Sequence, residues 1–150
     1  MSSGKFNLDK VFARLKAEQV NLPQQLANTA KTFFTNSFNE QGWTDNGKKD
    51  WDKRKSSVDA GRAILIKTGK LRRAVSNSKK SVSWERIEFR VEGVDYAAIH
   101  NFGGVVTRKS KSGKVYSFTM PKREFMGNSA ELNKMLEKKI TLAIEKIWQG

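Results

Sequence analysis

Side chains suited to catalysis are scarce in this chain of 150 residues. It has one histidine, His100, and no cysteine, so acid–base and nucleophilic chemistry have few candidates. Asp95 lies five residues before His100, but a Ser-His-Asp site would also need a serine on a strained Gly-x-Ser-x-Gly turn, which the sequence lacks. Phosphate-binding loops and dinucleotide-binding fingerprints are missing too. The sequence therefore predicts no catalytic residue and no cofactor.

The acidic residues are placed where a metal ion would be repelled. Asp45, Asp50, Asp52 and Asp59 are spread through a lysine-rich segment, whereas metal sites need clustered histidines or carboxylates. We therefore predict no metal site. A lone histidine on a short segment is usually structural, so we interpret His100 as a side chain that packs or contacts another subunit.

Positive charge is concentrated in two segments. The net charge is +14, and residues 41–80 carry twelve Lys or Arg against four Asp or Glu. The segment 105–123 has cations and no acid: Arg108, Lys109, Lys111, Lys114, Lys122 and Arg123. This balance suits a polyanionic neighbour, either nucleic acid or an acidic protein surface, although a solvated basic face would have the same composition. No apolar run is long enough to span a membrane, and we see no secretory signal, so we expect no membrane contact.

The N-terminal part predicts a helix followed by a long loop. Residues 9–38 show helical spacing of apolar residues, and Pro23 either starts a second helix or kinks a single one. Residues 39–62 are rich in turn formers and are predicted to form a long loop. Its two tryptophans, Trp43 and Trp51, either clamp the loop onto the body or dock on a neighbouring subunit.

The remainder predicts strands, a short helix and a long helix. Residues 81–94 alternate like a strand pair, and Asp95 is expected to cap a short helix that ends at Gly103-Gly104. Two strands flank a basic Ser-Lys-Ser-Gly tip, which indicates a hairpin, and a helix should run from Asn128 to about Trp148. We predict one α+β domain, in which the N- and C-terminal helices pack on one face of an antiparallel sheet.

Three segments resemble the Mu-like phage virion morphogenesis (tail completion) family. Residues 65–75, 91–104 and 120–127 are similar to its L-x-x-T-G-x-L-R-x-S-I, V-G-x-x-x-Y-A-x-I-H-Q-F-G-G and I-P-x-R-P-F-L-G segments, in the same order. Asn101 and Glu124 depart from the pattern, which has glutamine and proline there. The matching positions, which we interpret as fold determinants, are Thr68, Gly69, Leu71, Tyr96, Ala97, His100, Phe102, Gly103, Gly104, Pro121, Arg123, Phe125 and Gly127.

The resemblance implies a non-enzymatic structural or assembly protein of a tailed phage or prophage, acting in tail completion or head–tail joining. It implies contacts with tail or neck proteins and a ring of its own copies, for which tail symmetry suggests a hexamer. We expect it in the virion and, during assembly, in the bacterial cytoplasm. A ring needs two complementary patches, for which the candidates are Trp43, Trp51, Arg108, Lys109, Lys111 and Lys114. The alternative is a basic nucleic-acid-binding module; non-specific DNA contact in a channel would combine both.

Overall fold

The computed structural model describes residues 7–55 and 60–149, so Asp59 and the first six residues lie outside the described part. The elements, in chain order, are α1 (Leu8–Glu40), β1 (Gly42–Thr44), β2 (Lys48–Asp50), α2 (Lys70–Ser76), β3 (Lys79–Val82), β4 (Ile87–Arg90), α3 (Ala97–Phe102), β5 (Gly104–Lys109), β6 (Val115–Met120) and α4 (Ala130–Gln149). The predicted α+β class is confirmed, with long helices near both ends.

Within residues 7–55 and 60–149, the strands form three separate antiparallel hairpins, β1–β2, β3–β4 and β5–β6, and not the one sheet that the sequence suggested. Each strand has three to six residues and pairs only with its immediate neighbour in the chain. The β1–β2 and β3–β4 hairpins meet α1 through side chains: Trp43 of β1 stacks on Phe34 with ring centroids 6.3 Å apart, and Phe89 of β4 lies edge-on to Phe34 at 5.5 Å. Helix contacts therefore take the place of strand-to-strand joins.

Helix α1 is continuous through Pro23, which settles the two alternatives in favour of one helix. Its N-terminus is capped by Asn7, whose side-chain oxygen accepts a hydrogen bond from the Lys10 amide at 3.1 Å. Leu22 and Pro23 are both buried, so the proline packs into the fold although it lacks the amide hydrogen of a helical bond. At 1.5 Å per residue, the helix is about 50 Å long.

Both tryptophans of the predicted loop are in the core. Residues 39 and 40 complete α1, and residues 42–50 form the β1–β2 hairpin, so this part of the predicted loop 39–62 has regular secondary structure. Trp43 and Trp51 are only 7% and 5% exposed, and the Trp51 ring lies edge-on to Phe38 at 5.6 Å. Of the two predicted alternatives, the structure shows the first: the tryptophans clamp their segment onto the body. They are enclosed within the chain and are not presented to a neighbouring subunit.

Helix α4 lies antiparallel to α1. Lys146, near its end, is 3.2 Å from the Glu18 carboxylate in the first half of α1. The predicted N-cap of α4, Asn128, is wrong by one residue, because the Ser129 hydroxyl accepts a hydrogen bond from the Leu132 amide at 3.1 Å. The same hydroxyl donates to the Thr44 carbonyl at 2.7 Å, so the start of α4 is fixed to the β1–β2 hairpin. Among the described residues, none of the helices combines the length and apolarity needed to cross a membrane.

Candidate functional site

The three motif segments, distant in sequence, meet at one concave surface. We call it the motif cleft; its volume is about 680 Å³. Segment 64–71 forms one wall, α3 the next, and the inner face of the β5–β6 hairpin a third. The lining residues are Arg54, Ile64, Leu65, Lys67, Thr68, Lys70, Leu71, Asp95, Tyr96, Ile99, His100, Val106, Arg108, Met120 and Arg123.

The first wall is held by the side chain of Gln41. Its amide nitrogen donates to the Ile64 carbonyl at 3.2 Å, and its amide oxygen accepts the Ile64 backbone N–H. The next residue, Leu65, has a φ of 61°, a conformation that costs a residue with a side chain on the order of 1–3 kcal/mol. A strained leucine at a cleft wall indicates that the surrounding contacts fix this backbone. Sequence reasoning singled out neither Gln41 nor the strain.

The Thr68-Gly69 pair shapes the start of α2. Gly69, not Thr68, occupies the N-cap position, with a φ of 69° that favours glycine. The predicted cap at Thr68 is therefore displaced by one residue, although its hydroxyl lies 3.4 Å from the Lys70 amide nitrogen and accepts from it. Two residues into α2, Leu71 enters the core and also reaches the base of the cleft.

Helix α3 forms the second wall and is docked on the segment that follows β6. Its N-cap is Tyr96, with no side-chain cap, so the predicted capping by Asp95 is wrong. The His100 carbonyl accepts the Arg123 amide at 2.8 Å. Gly103 turns the chain out of the helix with a φ of 70°, and a Cβ there would lie 2.9 Å from the Lys122 nitrogen. The predicted glycine exit from this helix is thus confirmed, and close packing adds a second reason for it.

Asn101 fastens α3 to the third motif. It is buried, and its side-chain oxygen accepts the amides of Phe125 and Met126 at 2.9 and 3.0 Å. Its amide nitrogen donates to the Met126 carbonyl at 2.8 Å. The sequence marked this position only as a departure from the family pattern; nothing local to it signals three bonds to residues 24 and 25 positions away.

Positive charge dominates the motif cleft. The lining holds one acid, Asp95, and five cationic side chains: Arg54, Lys67, Lys70, Arg108 and Arg123. Arg123 is buried and donates through Nε and one Nη to the Asp52 carbonyl, at 3.2 and 3.0 Å. Burial lowers the pKa of the Arg123 guanidinium, the Asp52 carboxylate opposes that shift, and the Arg54 cation adds to it. The cleft lining thus carries more cationic than acidic side chains.

His100 stands in the cleft edge-on to Tyr96, with ring centroids 5.7 Å apart. Its Nδ1 atom is buried without a hydrogen-bond partner among the described residues. Burial, and then repulsion by Arg123, lower the pKa of His100 below its ordinary value of 6.5. Asp95 also lines the cleft, yet no bond joins it to His100 within the described part, and no described group of three His, Asp or Glu side chains could hold a metal ion.

Acidification should therefore destabilise the fold through His100. Since the folded chain binds this proton less tightly than the unfolded chain, the stabilisation is complete above pH 6.5 and is lost as the pH falls through the lowered pKa. We expect the Tm to fall between about pH 7.5 and about pH 5.5, a window in which histidine titrates and carboxylates barely do. His100→Gln should show a smaller fall, measured by circular dichroism. Equal pH responses of the two proteins would contradict this assignment.

The β5–β6 hairpin, which we call the arm, confirms the predicted basic hairpin. Only Val106 and Met120 are half-buried; every other residue of the two strands is exposed. Six residues at about 3.3 Å each give a reach of about 20 Å. Lys109 pairs with Val115 at the distal end, and Lys111 lies in the tip beyond, so these cations are far along the arm from its Gly104 root.

The arm has two faces of different character. Cross-strand partners share a face, so Val106, Phe118 and Arg108 point to the cleft side, where the Arg108 guanidinium lies 5.8 Å from the Phe118 ring centroid. On the outer face, Val105 and Val115 are 69% and 62% exposed. Both strand edges are also unpaired by any described residue, which leaves backbone groups open to another chain.

Several motif residues lie apart from the cleft lining, among them Ala97, Phe102, Phe125 and Gly127, which line a groove on another side. Phe102 is 71% exposed on the opposite side of α3, beside a groove that Phe34 and Phe89 also line. The motif residues thus divide into a buried set, such as Leu71 and Phe125, and an exposed set that the core does not require. The interpretation of all of them as fold determinants stays a prediction.

An apolar cleft with a cationic rim, next to an arm with open edges, is an arrangement for holding another molecule. A family model described as the phage virion morphogenesis family matches residues 7–145, and the chain belongs to this family. The family is one of structural and assembly proteins, which supports such a role in phage particles and an association with the virion. No curated protein and no solved structure matches the chain.

Proposed function

We propose that this protein acts without catalysis in tail completion or head–tail joining, through contacts with its own copies and with tail or neck proteins. The observation that carries the proposal is the arm, which exposes apolar side chains and two open strand edges away from the core. Exposed apolar surface of this kind marks protein–protein contact. Membership of the phage virion morphogenesis family supports the proposal that this contact is made during assembly of a phage particle.

A ring is the proposed form of self-assembly. Closed rings use two different complementary patches on each copy, and the arm supplies one of them. With the tryptophans enclosed in the core, the other patch belongs among the surfaces outside that core. A ring of six copies would match tail symmetry. The lysines at the arm tip, Lys109, Lys111 and Lys114, also give the arm the charge for non-specific contact with DNA in a channel.

Deleting the gene should leave phage particles incomplete, with electron microscopy as the readout. Unjoined heads and tails would place the protein at the neck, and tails of irregular length at the tail end. Complementation with a Val105→Ser, Val115→Ser variant should fail, because it removes the exposed apolar side chains of the arm's outer face. Its Tm should stay within about 2 °C of the parent, since the substitutions lie outside the core.

The matched control is Thr107→Ser, Thr119→Ser, which alters the same outer face and removes methyl groups without removing valines. We expect this variant to restore normal particles. Normal particles from the deletion itself would refute the proposed function. Equal complementation by both arm variants would refute the role of the arm.

A further inference from the structure

We propose that the motif cleft binds an acidic peptide segment of another protein, anchored by an aliphatic or aromatic side chain. The source of that segment is a neighbouring virion protein, and this part of the inference rests on the proposed function. The recognition chemistry itself follows from the cleft.

The base of the cleft calls for an apolar anchor. Its lining includes six aliphatic or thioether side chains from all three walls: Ile64, Leu65, Leu71, Ile99, Val106 and Met120. A volume of about 680 Å³ is ample for one large side chain and the backbone on either side of it. Burying a leucine or phenylalanine side chain there would contribute about 1.5–3 kcal/mol. A hydrated phosphate has no apolar surface to bury against this base, so it would gain no such binding energy.

The rim calls for carboxylates. Lys67, Lys70 and Arg108 form no ion pair with any described residue, and the Arg123 guanidinium donates hydrogen bonds to the Asp52 carbonyl. Guanidinium groups bind carboxylates through two parallel hydrogen bonds, which gives orientation as well as attraction. Asp95, the one acid of the described lining, offsets only part of this positive charge. The carboxylates of an acidic segment would neutralise the remainder.

Charge and shape favour a different protein over a second copy and over DNA. A second copy has few acidic segments to offer the cationic rim, since its 15 Asp and Glu residues are outnumbered by 29 Lys and Arg residues, whereas its contacts through the arm need no acidic segment. Duplex DNA offers phosphates on a convex, hydrated surface and cannot place an apolar group at the base of the cleft. Stacking of single-stranded bases needs several aromatic platforms, and the two aromatic rings of the described lining, Tyr96 and His100, lie edge-on to each other and do not form a row of parallel faces.

The test is selection of a random displayed peptide library on the full chain. We expect the enriched peptides to combine Asp or Glu with a large apolar residue. Their affinity, measured by fluorescence anisotropy, should fall at least about tenfold in a Lys70→Glu, Arg108→Glu variant. The control, Lys109→Glu, Lys111→Glu, makes the same change in net charge at two arm positions outside the cleft lining, and should bind within about twofold of the parent. A third variant, Val106→Thr, should weaken binding with no change of charge.

Four results would overturn the inference. They are no enrichment, enriched peptides without acids, equal weakening in the cleft and control variants, and displacement of the peptide by duplex DNA that itself binds in a Lys70- and Arg108-dependent way. Circular dichroism of each variant verifies the fold. If the peptide test fails but the gene deletion gives defective particles, the peptide site is rejected and the proposed function stands. Failure of this inference can therefore be told apart from failure of the proposed function.

Discussion

Replacing Trp51 by alanine should lower the free energy of unfolding by about 4 kcal/mol, the range for removing a large aromatic side chain from a core. The ring is buried against Phe38, and its Nε1 donates to the Glu124 carbonyl at 2.8 Å. Truncation would leave a cavity and remove the bond that ties the β1–β2 hairpin to the third motif. Urea unfolding monitored by circular dichroism measures the loss.

Trp84 provides a control of the same residue type. It lies near the turn of the β3–β4 hairpin and is 63% exposed. Trp84→Ala should change the free energy of unfolding by no more than about 0.5 kcal/mol, as is usual at surface positions. If the two alanine variants had similar stabilities, Trp51 would not be the core clamp described above.

Asn101→Ala should cost about 3 kcal/mol, because it leaves the Phe125 and Met126 amides and the Met126 carbonyl without their partner. Each unsatisfied buried group is costly, and the variant also creates a small cavity. Asn101→Gln, which introduces the residue of the family pattern, retains both kinds of hydrogen-bonding group and should lose less than the alanine variant. Urea unfolding of the three proteins gives the comparison.

Asn39→Ala is the matched control, since Asn39 is exposed and its side chain bonds, among the described residues, to the side chain of Asn36 alone. Its alanine variant should keep the parent stability to within about 0.5 kcal/mol. A loss below about 1 kcal/mol for Asn101→Ala would show that water replaces the missing side chain and that α3 is not fastened in this way.

Local sequence rules succeeded where an element is defined by its own residues. Helical spacing located α1 and α4, alternation located the β3–β4 hairpin, and the Ser-Lys-Ser-Gly tip located the β5–β6 hairpin. Pro23 was ambiguous because local chemistry permits both a kink and a new start; burial of Leu22 and Pro23 in the finished fold decides it. The Trp43 segment looked like a loop because its turn residues outnumber its strand formers, and the packing of the indoles is a tertiary effect.

The motif cleft could not be predicted from local sequence rules. Resemblance found the three motifs separately, but their meeting depends on bonds such as Arg123 to Asp52 and Asn101 to Met126, which span 71 and 25 positions. The cationic side chains were visible in the sequence as an excess of charge. Which of them share one concave wall follows only from the fold.

The isolation of the arm from the core makes it a convenient place for a reporter. The Ser110 to Gly113 tip closes through its own backbone bonds, and the whole chain has no thiol. A Ser112→Cys substitution would therefore accept a single maleimide dye, whose emission would register whatever surrounds the far end of the hairpin. The dye would lie at an exposed position about 20 Å along the strands from the folded body, so labelling would leave the hydrophobic interior intact.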